Sequence, residues 1–276
     1  MAEAQQNCLC DSAPSSAGGG RKLPSEGGKL KAPQDGCTIA LLGGFQVHAD
    51  GASLSLPLGA QRLLALLALE DGVVDRSTAI ERLWPDSPRG RAAANLRSAL
   101  WRGRHAGAAT LIDGVGPRLH LAAGVRVDLH ELRQRARQIA IGVSSDPESY
   151  EDVINGLSRD LLPAWSDDWL LPERERWDQV RLHALETLAQ QFLATENYLS
   201  AMEAALAAVG IEPIRESAHR IVLKVHVAEG NSASALKHYQ RYRALLQLEL
   251  GVTPSRQMDE IIHPLASAWR RPKDPR

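Results

Sequence analysis

The chain has 276 residues, a formal net charge of −1, 24% charged and only 4% aromatic residues, a length that suits two domains with a buried core each. No apolar run approaches the roughly 18 residues of a spanning helix, and the opening MAEAQQNCLC lacks the basic-then-apolar order of a secretory leader, so a cytoplasmic protein without membrane contact is expected. Cys8, Cys10 and Cys37 cannot all pair and have no His or Cys partners at zinc-finger spacing, which excludes a disulfide framework and leaves no metal site.

Residues 1–36 mix Gly18-Gly19-Gly20, Gly27-Gly28, Pro14, Pro24 and Pro33 with scattered serines and four Lys/Arg, too little apolar surface to fold, so a disordered tail is expected. From Thr38 the texture changes. TIALLGGFQVHADGASLSLPLG gives an apolar run, a Gly43-Gly44 break, alternating Phe45/Val47, an Asp50-Gly51 turn and alternating Leu54/Leu56, the pattern of a small antiparallel sheet. Gly59–Glu70 carries leucines at 63, 64, 66, 67 and 69, too many for one stripe, which predicts a mostly buried helix with Gln61 and Arg62 exposed at its start. A short strand at Val73–Asp75 precedes a helix opening at Ser77 or Thr78 and ending at Leu83-Trp84, before Pro85.

The stretch Arg89–Arg104, RGRAAANLRSALWRGR, holds arginines 89, 91, 97, 102 and 104 and no acid. Leu96 and Leu100 lie four apart, where they can dock a helix on a core and leave the amide, hydroxyl and guanidinium groups for base edges and phosphates. A solvated arginine-rich face is the plain alternative. Thr110–Asp113 and Arg118–Leu121 read as strands joined by Gly114-Val115-Gly116-Pro117, a hairpin. Sheet, three helices and hairpin make the order of a winged helix-turn-helix, whose third helix enters the major groove while the wing touches the backbone or minor groove. Residues 37–125 carry nine arginines against seven acids, whereas 127–276 carry 18 Lys/Arg against 22 Asp/Glu, a basic front and an acidic back.

From Val127 the reading is helical: a helix capped by Asp128 and running to about Ile141, another from Asp146 or Pro147 to about Leu157, the turn-rich LLPAWSDDWLLPERERW, and a long helix near Glu173–Thr195. Asn197 and Asn231 are 34 apart, as are Ala201 and Ala235, and each unit holds a helix pair: Tyr198–Val209 with Ile214–Ala228, then Ser232–Leu248 with about Ser255–Trp269. That is the period of tetratricopeptide repeats. The expected fold is mainly α with a small antiparallel β component: a winged helix-turn-helix at 37–126, an all-α tetratricopeptide-like domain at 127–270, and a second disordered tail at 271–276.

Leu41-Leu42-Gly43-Gly44-Phe45, Leu83-Trp84-Pro85, Ala94 to Arg102 (ANLRSALWR), Pro213 to His219 (PIRESAH), Ala235 to Tyr239 (ALKHY) and Leu248 to Pro254 (LELGVTP) together resemble the Streptomyces antibiotic regulatory protein type of transcriptional activator, from about residue 39 to 258. The resemblance implies an OmpR-like DNA-binding domain joined to a bacterial transcriptional activator domain. It also implies binding to direct repeats at promoters of secondary-metabolite (antibiotic) gene clusters, with engagement of RNA polymerase and its sigma factor; because one such helix binds weakly at physiological salt, two copies side by side on DNA are expected. No Gly-x-x-x-x-Gly-Lys loop occurs, so a small member without an ATPase module is expected. Where the family pattern usually has leucine after Trp101-Arg102, this chain has Gly103, which predicts that the helix ends or frays there and makes Arg104 a weaker contact.

Carried over residue by residue, Ser98 and Arg102 fall where such helices face bases, with Asn95 and Arg97 beside them. Arg62, Arg89, Arg91, Arg104 and Arg118 are the phosphate candidates. Trp101 is a backbone-contact candidate too, although a tryptophan at helical spacing from Leu96 and Gly103 is more often core. Trp165, Trp169 and Trp177 are expected to pack between helices, and His219, His226 and His238 to be satisfied core or surface groups. No catalytic constellation or cofactor loop stands out, so no enzyme is expected; the rival reading is a repeat-helix adaptor whose basic front is nonspecific.

Overall fold

The structure, a computed structural model, describes residues 36–49, 51–70, 72–108, 111–142 and 150–269, which lie in one compact unit, Asp35–Arg276. The expected tails, apart from Gly36, and the expected helix start at Asp146 or Pro147 lie outside the described residues. The chain runs β1 (Thr38–Ala40), β2 (Gln46–Ala49), β3 (Ala52–Ser53), α1 (Leu58–Glu70), β4 (Val74–Asp75), α2 (Arg76–Leu83), α3 (Arg89–His105), β5 (Ile112–Val115), β6 (Arg118–Leu121) and β7 (Arg126–Val127). Then come α4 (Asp128–Ala140), α5 (Tyr150–Leu157), a 3-10 turn (Asp168–Leu170), α6 (Leu171–Ala194), α7 (Tyr198–Ile211), α8 (Glu216–Ala228), α9 (Ser232–Glu249) and α10 (Arg256–Trp269).

The first sheet has the order β3-β2-β1-β7, with Ile39 opposite Val47 across the antiparallel pair. β7 adds to it in parallel, Ile39 beside Val127, a strand the sequence reading did not place. Asp128, expected to cap α4, instead turns its carboxylate back onto the chain just after β1, accepting the N–H groups of Leu41 at 2.8 Å and Leu42 at 3.1 Å. Burial outweighs these donors and holds its carboxyl above the ordinary carboxylate range.

α1 is the shared wall of two cores, and this is why it needs leucine all round. Leu64, Ala65, Ala68 and Leu69 face a core that includes Ile39, Val47 and Val127 of the sheet and the inward faces of α4 to α8. Leu63, Leu66 and Leu67 face another, closed by Ala79, Leu83, Leu96, Ala99 and the wing residue Leu119. A fully buried leucine contributes about 1.5–3 kcal/mol, so α1 fixes the winged helix onto the helical layer.

Residues 159–165 are clamped between the two. Leu162 N–H donates to Leu41 O at 3.0 Å and Gly43 N–H to Asp160 O at 2.8 Å. From α6, the Arg174 guanidinium holds the carbonyls of Leu161, Leu162 and Trp165, and Arg181 reaches Asp160 at 2.7 Å and Arg159 O at 3.1 Å. The 34-residue period is realised beyond it: Asn197 and Asn231 precede α7 and α9, and Ala201 and Ala235 are both fully buried where helices meet.

Candidate nucleic-acid interface

The turn between α2 and α3 is made by proline. Trp84 N–H still reaches Ile80 O at 3.0 Å, Pro85 stops the helix, and Pro88 opens α3. Neither a side-chain cap nor an acid marks the start of α3, and Arg89 and Arg91 sit at the positive end of its dipole. Cations there cost a few tenths of a kcal/mol each, so their placement is not explained by helix stability.

α3 buries Ala92, Leu96, Ala99 and Gly103, a stripe at steps of four, three and four. Leu100 is half-buried at its edge rather than in line with Leu96. Gly103 is no fraying point: the helix continues to His105, and a Cβ on Gly103 would stand 3.3 Å from the Ala60 Cβ. The missing side chain lets α3 close on α1, where Gly59 likewise faces Ala99.

With that stripe inward, the other side chains take fixed stations, because residues seven apart nearly eclipse along a helix. Arg97 and Arg104 form one exposed flank, Asn95 and Arg102 the other, Asn95 half-buried and Arg102 exposed. Between them stand Arg91, half-buried Ser98 and Trp101. Trp101 is 61% exposed and lies over His105, ring centroids 4.0 Å apart. The structure thus removes it from the core: the buried stripe passes on the opposite side, and the aromatic surface points to solvent among arginines. His105, whose Nδ1 lies 2.8 Å from Trp101 O, joins this face without having been anticipated. Among the described residues no carboxylate pairs with Arg89, Arg91, Arg97, Arg102 or Arg104.

The wing is a three-stranded sheet in the order β4-β6-β5, with Val115 opposite Arg118 beside a Gly116-Pro117 turn and Gly116 at φ +61. Arg118 is exposed at its tip. Arg76, which the sequence reading passed over, ties the wing to α2: its N–H donates to Pro117 O at 2.8 Å and its Nε to Gly116 O at 3.1 Å. A cation in the first helical turn works against the dipole, and that misfit was the available signal. Arg62 is placed differently from expectation. Instead of standing exposed it is half-buried, its guanidinium paired with the Asp167 carboxylate, so the folded protein already occupies it.

The remaining candidates take structural places. Trp177 is fully buried, Trp165 stacks on Phe45 at 5.7 Å and Trp169 packs against the winged-helix core. His219 Nδ1 lies 2.9 Å from His238 Nε2, while its Nε2 donates to Pro213 O at 2.8 Å and its ring stacks on Tyr242. Burial, then the neighbouring His219, His226 and Arg241, push His238 down to about 4, and burial lowers His219 as well. Among the described residues no cluster of His, Cys, Asp or Glu could hold a metal, and no helix is long and apolar enough to cross a membrane.

Residues 159–265 match the bacterial transcriptional activator domain family. The chain is 28% identical over 238 residues to the regulatory protein AfsR of Streptomyces coelicolor, covering 81% of this chain and 23% of that protein. It is 26% identical over 242 residues to AfsR of Streptomyces griseus, covering 84% and 25%. The chain therefore spans about a quarter of the length of these relatives. Among solved structures, Mycobacterium tuberculosis EmbR in complex with a low affinity phosphopeptide shares the fold, with a TM-score of 0.63 at 18% identity over 86% of this chain and 66% of that one.

Proposed function

We infer that this chain, which belongs to the Streptomyces antibiotic regulatory protein family of transcriptional activators, is a sequence-specific binder of promoter DNA through α3 and its wing. The observation that carries the reading is the set of five exposed α3 arginines left without a carboxylate among the described residues, on a helix whose buried stripe fixes their direction. Asn95, Arg97, Ser98 and Arg102 are assigned to base edges, where a guanidinium in the major groove can grip guanine O6 and N7 together. Arg89, Arg91, Arg104, Arg118 and the Trp101 face are assigned to phosphates and sugars. Residues 37–126 are the nucleic-acid portion and 127–270 the activating portion.

One recognition helix binds weakly at physiological salt, so two copies on a direct repeat are proposed to share the site. The helical layer is left to meet RNA polymerase and its sigma factor, in the cytoplasm on the nucleoid, at the promoters of an antibiotic gene cluster. No catalytic step is part of this reading. A mobility-shift titration of a promoter duplex against random duplex, at several salt concentrations, tests it. Preference for the promoter with affinity falling steeply in salt is the expected result. A salt-dependent affinity without preference would replace the reading by a nonspecific basic surface on a helical adaptor.

A further inference from the structure

Behind the turn that leads into α3 lies a cavity of about 320 Å³, lined on one side by Trp84, Asp86 and Ser87 and on the other by Asp167 and Asp168 of the helical layer, with Arg62 between them. Arg82 also lines it but is paired with Glu70, so Arg62, paired with Asp167, is the other guanidinium in a lining that holds three carboxylates. Its satisfaction is incomplete. One terminal nitrogen reaches Asp167, while its Nε is buried with no acceptor, and the indole N–H of Trp169 on the same cavity wall is buried without one as well. A guanidinium offers five donors, and a buried donor left unmet is destabilising. The Arg62–Asp167 pair is therefore a held but unsaturated arrangement, on a residue of α1 beside the turn that starts the arginine helix.

We propose that Asp167 is an internal stand-in for a DNA phosphate: it holds Arg62 in the free protein and gives it up to the duplex backbone when α3 is seated. This rests on the nucleic-acid reading above. Phosphates brought up to α3 repel Asp86, Asp167 and Asp168 and attract the guanidinium, so seating the duplex exchanges one anion for another. Free and bound states then differ in how the winged helix is tied to residues 166–168, which gives the helical layer a lever on DNA affinity.

The test compares Asp167→Asn, Asp168→Asn, Arg62→Gln and the Arg62→Gln/Asp167→Asn double variant of the full chain, each titrated with a duplex selected by the wild-type protein from a random pool. Every phosphate contact contributes about 0.9 to the slope of log affinity against log salt. Exchange predicts that Arg62→Gln lowers the slope by about that amount. It also predicts that Asp167→Asn tightens binding about three- to tenfold, as removal of a competing anion on one cation should, with the slope unchanged. The neighbouring Asp168→Asn makes the same charge change without touching Arg62 and should tighten binding less, and in the double variant the gain from Asp167→Asn disappears. An unchanged slope in Arg62→Gln, or weaker binding by Asp167→Asn, makes the pair a purely structural tie and overturns the proposal. Should Asp167→Asn fail to fold, the slope of Arg62→Gln decides alone. If the wild type selects no duplex, it is the nucleic-acid reading that fails, a result separate from any of these.

Discussion

Arginines 174, 181 and 215 of the helical layer are turned onto the protein itself, whereas those of α3 are turned away from it. Arg174 ties down three carbonyls, the Arg181 side chain is 4% exposed among Asp160, Asp178 and two carbonyls, and Arg215 grips Glu186 with two nitrogens at 2.7 and 3.3 Å. Arg91, Arg97, Arg102 and Arg104 are exposed and lack such partners. The same side chain is structural where loops and acids surround it and available where a buried stripe of small residues turns it outward. Counting arginines would not separate the two regions. Counting the acids and carbonyls within reach of each does.

The difference can be broken from either side. Arg181→Ala should cost the fold about 2–4 kcal/mol, because the buried Leu157 carbonyl loses this donor, the Arg159 carbonyl is left with the Trp177 indole alone, and Asp160 and Asp178 lose their partner; urea denaturation would register it. The histidine pair of the repeat region should make stability acid-sensitive, because burial disfavours the charged form of both rings in the folded chain. His238 is held near 4 against 6.5 for the unfolded chain, so below pH 6.5 protons favour unfolding. Its contribution is complete above pH 6.5 and is lost as the pH falls toward 4. Stability measured at pH 7 and pH 4.5 should therefore drop less in His238→Gln than in the wild type.

On the α3 side, Arg102→Ala should leave urea stability within about 0.5 kcal/mol while costing about 1–3 kcal/mol of DNA affinity and relaxing preference at one base pair. An equal loss of stability would mean that Arg102 is as structural as Arg181. The smallest effect is expected from Gly103→Ala, where about 1 kcal/mol of helix propensity is set against the approach to Ala60. A net change within about 1 kcal/mol supports the close contact between α1 and α3. A clear stabilisation would show that α3 has room to spare there.

Periodic features were legible in the sequence. Five leucines between Gly59 and Glu70 announced burial on more than one side, the acid-free run announced α3, the glycine turn announced the hairpin, and two pairs at a spacing of 34 announced α7 to α10. What stayed hidden depends on partners far away in the chain. β7 is two residues long and has no period of its own; it exists because β1, almost ninety residues earlier, lies open beside it. Asp128 reads as a cap locally and becomes a tie to Leu41 and Leu42 in space. Arg62 and Arg102 look alike along the chain until Asp167 comes to lie against one of them. The core reading of Trp101 failed for a related reason: helical spacing from Leu96 and Gly103 suggested core, yet the buried stripe of Ala92, Leu96, Ala99 and Gly103 runs along the opposite side of the helix.

The most direct measurement places a photo-crosslinking benzoyl-phenylalanine at position 101, among the α3 arginines, or at position 199, where Leu199 is 72% exposed on α7. Each protein is irradiated with a duplex selected from a random pool. The account predicts covalent capture of DNA from 101 and none from 199. Capture from 199 with none from 101 would place the nucleic acid on the helical layer and contradict it.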